Sequence, residues 1–492
     1  LPGEVATPGE GDNGKMGYPL IPQRGVPFGV TVVAVDDYFN EVSEGPGNVT
    51  MSSSDLTAVI DPITINLIND VASLQINVNI KATGTETLTA TYGANNLINA
   101  KVDIPLAEVG LHYKTITNGS WSDLSTWSSS ADSLIWDTPP TRIPGPQDLS
   151  VNIDHNVTIN DNTNKILNTL TINTSGTLEL NAGKFILSNA TVSGTLKNAV
   201  GLELLGEDAL TFKSGGKYQH NFTTTLGVVP QATWENGSTC EIIGYTTAMG
   251  RMVGINGQSF YDFTWNSPNQ NTVNGIGPSL GLLEGSNTEV RNNFTVESTG
   301  GTNGGFQLST VTAVLNVKNY IQNGGRFGLI NRNIGALEAV LNVSGDFTMT
   351  GGILQKTNGG GVSASKAKVV FNGISVQNFN KTAGTLNGNL NFEIASDAIV
   401  DFGTNVLAGN SGTFEMKEGA SLLTKHLEGI SKTDAKGNIQ STGTRIFSNG
   451  TNYTYNGEAL QETGSGLPET VANLTIDNEV GVKLTARSIN SY

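Results

Sequence analysis

The sequence predicts an all-β protein, an N-terminal β-sandwich followed by a long parallel solenoid. Three observations carry that expectation. Glycine supplies 60 of the 492 residues, while charged residues make up only 14%, against roughly 25% in a typical soluble domain. Thr, Asn, Ser, Val, Leu and Ile, which favour strands and turns, dominate the remainder. A small residue and a glycine also recur before a hydrophobic strand, as in "SGTL" at residues 175–178 and again at 193–196.

Proline draws the first boundary. Twelve of the sixteen prolines precede residue 150, leaving only Pro230, Pro268, Pro278 and Pro468 beyond it. Proline cannot donate to a ladder, so its scarcity suits continuous sheet. Residues 1–24 are rich in Gly and Pro and read as a linker or part of a preceding domain. The opening "LPGEVATPGEGDNGK" and closing "ARSINSY" both read as cuts through something longer, so the solenoid is expected to be truncated at its C-terminal end.

Residues 25–108 hold short strands at close intervals, which is the pattern of an immunoglobulin-like sandwich. In "VPFGVTVVAVDDYFNEV", Val30, Val32, Ala34 and Asp36 fall on one face and Thr31, Val33 and Val35 on the other. Asp36, Asp37 and Asn40 could offer oxygen ligands to calcium, although Asp and Asn are equally ordinary turn residues; the turn reading is favoured. "PFGVTVVAVDDYFN" and "GTETLTATYG" resemble strands of the bacterial Ig-like repeats of surface adhesins.

Residues 109–149 form a tryptophan-rich junction. Trp121 and Trp127 are six apart and would face one side of an extended chain, and Trp136 follows. Two readings stand for this cluster. Burial at a domain junction is favoured; alternatively Tyr113, Trp121, Trp127 and Trp136 form a platform for the apolar faces of sugars.

From 150 to 492 the strands shorten, and Asn, Gly, Ser and Asp join them. "LNTLTINTSG", "FYDFTWNSPNQ", "LNGNLNFEIAS" and "VANLTIDNEVG" share one frame, apolar–polar–apolar and then a polar turn. Repeated units without helical periodicity predict a right-handed parallel β-helix with three short strands per coil. Gly176, Gly194, Gly345, Gly384 and Gly412 are assigned to its corners, with the Leu or Phe that follows turned inward to stack on the next coil. The same reading places Trp234, Trp265 and the single cysteine, Cys240, in the core.

Net charge is −16, which disfavours nucleic acid and anionic membranes as partners. No run of eighteen apolar residues is present to span a membrane as a helix.

The ordered series "NGSWSDLSTWSSSADSLIW", "VNIDHNVTIN", "LTINTSGTLEL", "ATWENGSTCEIIGY" and "QSFYDFTWNSPNQ" resembles large adhesin-like surface proteins of Bacteroidota exported by the type IX secretion system. That resemblance implies a secreted protein at the bacterial cell surface, a β-helical stalk, and the secretion machinery as a partner during export. Surface glycans or other cell-surface proteins are the expected ligands.

Catalytic patterns are absent. No G-x-S-x-G elbow stands between a strand and a helix, and His112, His155, His220 and His426 lie far apart in sequence. The carboxylates Asp154, Asp161, Glu179, Glu203, Glu207, Asp346, Glu393, Asp397 and Asp401 are scattered singly, as corner residues would be. A non-enzymatic display protein without a required cofactor is therefore the leading expectation. A carbohydrate-binding or carbohydrate-active β-helix and a subunit of an extracellular filament are the alternatives.

Overall fold

The computed structural model describes residues 4–7, 15–17, 22, 25–42, 47–67, 73–80, 85–92, 98–105, 110–206, 208–271, 277–301, 304–330, 337–356 and 365–485. The described chain is all-β, with a single turn of 3-10 helix at Leu124–Thr126 and no α-helix. It divides into two compact units, Leu1–Tyr113 with Ser128–Val151, and Lys114–Trp127 with Asn152–Tyr492.

The first unit contains two antiparallel sheets over one core. One sheet orders Phe28–Val33, Ser73–Asn79 and Val59–Asp61; the other orders Thr64–Leu67, Gly47–Ser53, Thr85–Tyr92 and Ile98–Pro105. Val30, Ile76 and Val78 from the first sheet share a core with Val49, Met51, Ile65, Leu67, Leu88 and Ile104 from the second. Val32 and Ala34 pack against that core while Thr31, Val33 and Val35 are exposed, so the alternation sets the face as expected. In the segment read as linker, Glu4–Ala6 pairs antiparallel with Lys15–Gly17; most of the rest lies outside the described residues.

The second unit is built from parallel pairing, and its connectivity fits a β-solenoid. One circuit passes through Leu170–Ile172 (side A), Thr177–Leu180 (side B) and Lys184–Leu187 (side C), and then returns to side A at Ala190–Val192. Each strand pairs in parallel with its equivalent on the next circuit. From Ser259–Phe260 onward sides A and B merge round their shared corner within a sheet of 21 strands, whereas the earlier side-A strands belong to a separate sheet of eight. The strand Glu289–Ser298 passes that corner, pairing through Val290 on side A and through Phe294 on side B.

Side B shows why these residues form this fold. Its register aligns Val157, Leu178, Leu196, Tyr218, Cys240, Phe263, Phe294, Tyr320, Phe347 and Phe379 in one inward column. Every member is buried. Ring contacts run unbroken from Phe212 through Trp234, Phe260, Phe263, Phe294, Tyr320, Phe347, Phe379, Phe402 and Phe414 to Phe447. Phe347 and Phe379 stack at 5.1 Å, and such pairs contribute about 0.5–1.5 kcal/mol each beyond burial. Trp265 and Phe306 stack at 4.0 Å beside this series.

Side C is less regular. Phe306–Ser309, Arg326–Ile330, Ile353–Gln355 and Thr385–Asn387 form a four-stranded sheet. Among the described residues, side C is laddered early, through Lys165–Leu167, Lys184–Leu187 and Gly201–Leu204, but from Val228 to Gln307 only the isolated bridges Val228–Val253, Arg251–Ser279 and Ser279–Gln307 link it.

The five glycines do sit at corners, though not at one equivalent corner. Gly176, Gly194 and Gly345 lie between sides A and B, Gly384 between B and C, and Gly412 between C and A. Close approach of the preceding coil, rather than φ, excludes a side chain at most of them. A Cβ on Gly176 would lie 2.1 Å from the Ile153 carbonyl oxygen. Only Gly384 combines close approach with a left-handed φ, +79°.

Two stability predictions follow from this packing. Gly176→Ala should lower unfolding stability by about 1–3 kcal/mol through overpacking, whereas Gly206→Ala, where a Cβ meets nothing within 4 Å, should be close to neutral. Phe347→Ala should cost about 3–5 kcal/mol. Urea denaturation of each variant measures both.

Candidate functional site

The aromatic cluster is architectural. Tyr113, Trp121 and Trp127 are buried, and Trp136 is half-buried. The sugar platform is thereby corrected, because three of its four rings offer no open face to a ligand. The route by which the tryptophans meet also differs from the extended chain expected. Asp123 caps the 3-10 turn Leu124–Thr126, and this turn folds the chain so that Trp127 Nε1 donates to the Trp121 carbonyl at 2.9 Å. The two rings meet edge-on at 4.9 Å, and Phe185 closes on Trp121 at 5.8 Å. In the first unit, the Tyr113 hydroxyl donates to the Arg142 carbonyl while the Arg142 guanidinium lies over the ring and grips buried Asp148.

The acidic loop is a turn. Asp36 Oδ1 accepts from the backbone N–H groups of Tyr38 and Asn40, and the Asn40 amide also donates to the carboxylate. These bonds, the Asn40 side chain first, hold its carboxyl below the usual range. Among the described residues, no three His, Cys, Asp or Glu side chains group as a metal site would need.

The scattered carboxylates are occupied between coils. Asp154 accepts from Asn173, Glu179 pairs with Lys197, Glu203 with Lys184, and Glu393 with both Lys368 and Lys417. Lys165 foremost, with Ser122 and Thr163, drives the Asp161 carboxyl well below its ordinary value. Asp346 sits in a polar ladder. Asn292 and Asn293 bond Asp262, Asn319 bonds Asn293, Asp346 bonds Asn319, and Asn378 bonds Asp346. Asp401 accepts from Gly403 N, and Asp397 takes a left-handed φ of 64°. Glu207 lies outside the described residues.

The histidines remain apart. His112 bonds Ser150 at 2.9 Å and His155 bonds Thr115 at 3.0 Å, but among the described residues no carboxylate orients either ring. His426 accepts from Glu428 N through Nδ1. His220 is buried in a neutral network within the solenoid. Tyr218 Oη lies 3.0 Å from Nδ1, and Nε2 faces the Leu226 carbonyl at 2.7 Å. The carbonyl can only accept, so Nε2 carries the proton and Nδ1 accepts from the tyrosine. Asn198 and Tyr245 complete the cluster. Cys240 stands beside it as expected, its thiol pushed up by burial.

One surface feature was not legible in advance. A groove of about 280 Å³ crosses the outer face of side A where it turns towards side B. One wall is the outward row Glu289, Asn316 and Asn342, aligned rung on rung. Arg291, Lys318, Ser344 and Asn372 form the other wall, above a floor that includes buried Val290 and Val317. The register slips between Val290 and Asn293, so Arg291 lies at an irregularity in the ladder. Bulges of this kind re-aim side chains. Arg291 reaches back along the solenoid, donating to Asn236 Oδ1 at 2.7 Å and to the Trp234 carbonyl, with its guanidinium 5.7 Å from the centre of the Tyr261 ring.

Comparison with protein-family models, curated proteins and solved structures finds no match. Among the described residues no helix is long and apolar enough to cross a membrane.

The buried imidazole makes stability depend on pH. Desolvation lowers the His220 pKa to about 4 from 6.5, so the unfolded chain binds the extra proton first as pH falls. Its contribution is complete above 6.5 and is lost progressively towards pH 4, by roughly 3 kcal/mol. Urea midpoints of the native chain should fall across that window, and those of His220→Gln should fall less.

Proposed function

We propose that this chain is a non-enzymatic extracellular surface protein of adhesin type. In this reading an immunoglobulin-like module joins a right-handed parallel β-helix that acts as a stalk, exported through type IX secretion and holding binding regions away from the cell. One observation carries the proposal. The parallel ladder runs rung on rung from Gly119–Ser120 to Asn473–Ile476 within the 21-stranded sheet. Backbone groups on every coil are bonded to the coils before and after, so bending must distort several hydrogen bonds together. Such a body is suited to holding something at a distance. The side chains point the same way, since most of the scattered carboxylates brace neighbouring coils or corners.

A second reading, carbohydrate binding, gains support from the polar groove on side A. Surface glycans and other cell-surface proteins are the partners that fit both readings.

Beads coated with the purified chain should be retained on bacterial or host-cell surfaces, free chain should compete, and no reducing ends should be released from the glycans offered. Turnover of any of these glycans, or failure to be retained on every surface tried, would overturn the display reading.

A further inference from the structure

We propose that the side-A groove binds a linear, hydroxyl-rich glycan bearing carboxylates, the chemistry of a polyuronate, laid along the solenoid axis. The inference deepens the display reading, resting on it for its setting but not for its chemistry. Its first support is charge. The protein carries a net −16, yet the groove sets Arg291 and Lys318 against a single carboxylate, Glu289. Glu289 itself accepts from the Ser259 hydroxyl at 2.6 Å. Several side-chain cations elsewhere in the solenoid, among them Lys197, Lys368 and Lys417, are paired with glutamates. Arg291 instead touches the neutral oxygens of Trp234 and Asn236, and exposed Lys318 has no ion-pair partner among the described residues. A ligand carboxylate at Lys318 would supply the missing counter-charge.

The second support is the hydrogen-bonding surface. Asn342 Nδ2 donates to Asn316 Oδ1 at 2.9 Å, which orients both amides across the rungs. The Asn342 carbonyl oxygen and the Asn316 amide nitrogen keep capacity to accept and to donate. Ser344 and Asn372 extend that capacity over further rungs. The rungs repeat at about 4.8 Å, comparable to the advance of one sugar in an extended polysaccharide, so successive residues of a glycan would meet equivalent groups.

An extended acidic peptide fits less well. Peptides that add to sheets use the backbone edge, but here the backbone of side A is paired with both adjacent coils. The groove floor holds buried valines rather than open pockets for peptide side chains.

Isothermal titration of the full chain with a defined oligouronate, a neutral oligosaccharide of equal length and an oligoglutamate peptide tests the assignment. Binding should be seen for the oligouronate, should weaken with added salt, and should exceed that of the other two probes. Lys318→Ala should lower affinity at least about tenfold, Asn342→Ala should weaken it, and Lys432→Ala, an exposed lysine outside the groove, should leave it unchanged. Circular dichroism should show that all three variants keep the native fold. Equal binding of the neutral sugar or the peptide, absence of oligouronate binding, or an unaltered Lys318→Ala would overturn the proposal. Bead retention that persists without oligouronate binding removes the groove assignment alone, whereas glycan turnover removes the display reading.

Discussion

The structure of the second unit depends on coil-to-coil register. Parallel pairing sets each residue directly above its counterpart, so the side chain at one position must be compatible with the same position one circuit away. An inward column tolerates this when neighbouring members match in shape, as Leu on Leu and Phe on Phe do along side B, or when a small residue separates large ones, as Cys240 does between Tyr218 and Phe263. Burial and ring stacking then reinforce the register that the backbone bonds define. A slip of one residue would turn this column outward and lose both contributions.

The same constraint accounts for the composition. Outward positions also meet their own kind, and like charges one rung apart repel. Asparagine avoids the conflict because its amide both donates and accepts, as between Asn160 and Asn181 or Asn452 and Asn473. Charge is used sparingly and in alternation. Glu393 and Glu415 are register partners, and Lys417 lies between their carboxylates. Glycine is abundant because consecutive corners come within carbonyl contact of one another.

The sequence made the strand-and-corner grammar legible. It disclosed the all-β class, the inward Leu and Phe after each small-residue–Gly pair, the core positions of Cys240, Trp234 and Trp265, and the Asp36 turn. It hid the phase of the coil. The frames beginning at Leu167 and Leu386 place their strands on side A, whereas those beginning at Phe260 and Val471 place theirs on side B. Local alternation is identical on all three sides, so it cannot report which side a strand occupies. Parallel pairing is already present at Gly119–Ser120, within the stretch read as a junction, where a two-residue strand leaves almost no periodic signal. The groove was hidden for a related reason. It depends on one irregularity beside Arg291 and on residues brought into line from separate coils.

The uneven third side has a mechanical consequence. Tension applied along the axis passes through every coil boundary in series, so the least-bonded boundary sets the yield point. Where Val228, Arg251 and Ser279 contribute only isolated bridges, sides A and B must bear nearly the whole load. Coils joined so sparsely would part under a sustained pull before those zipped by a full ladder on this side, such as Phe306–Ser309 on Arg326–Ile330, acting as a fuse.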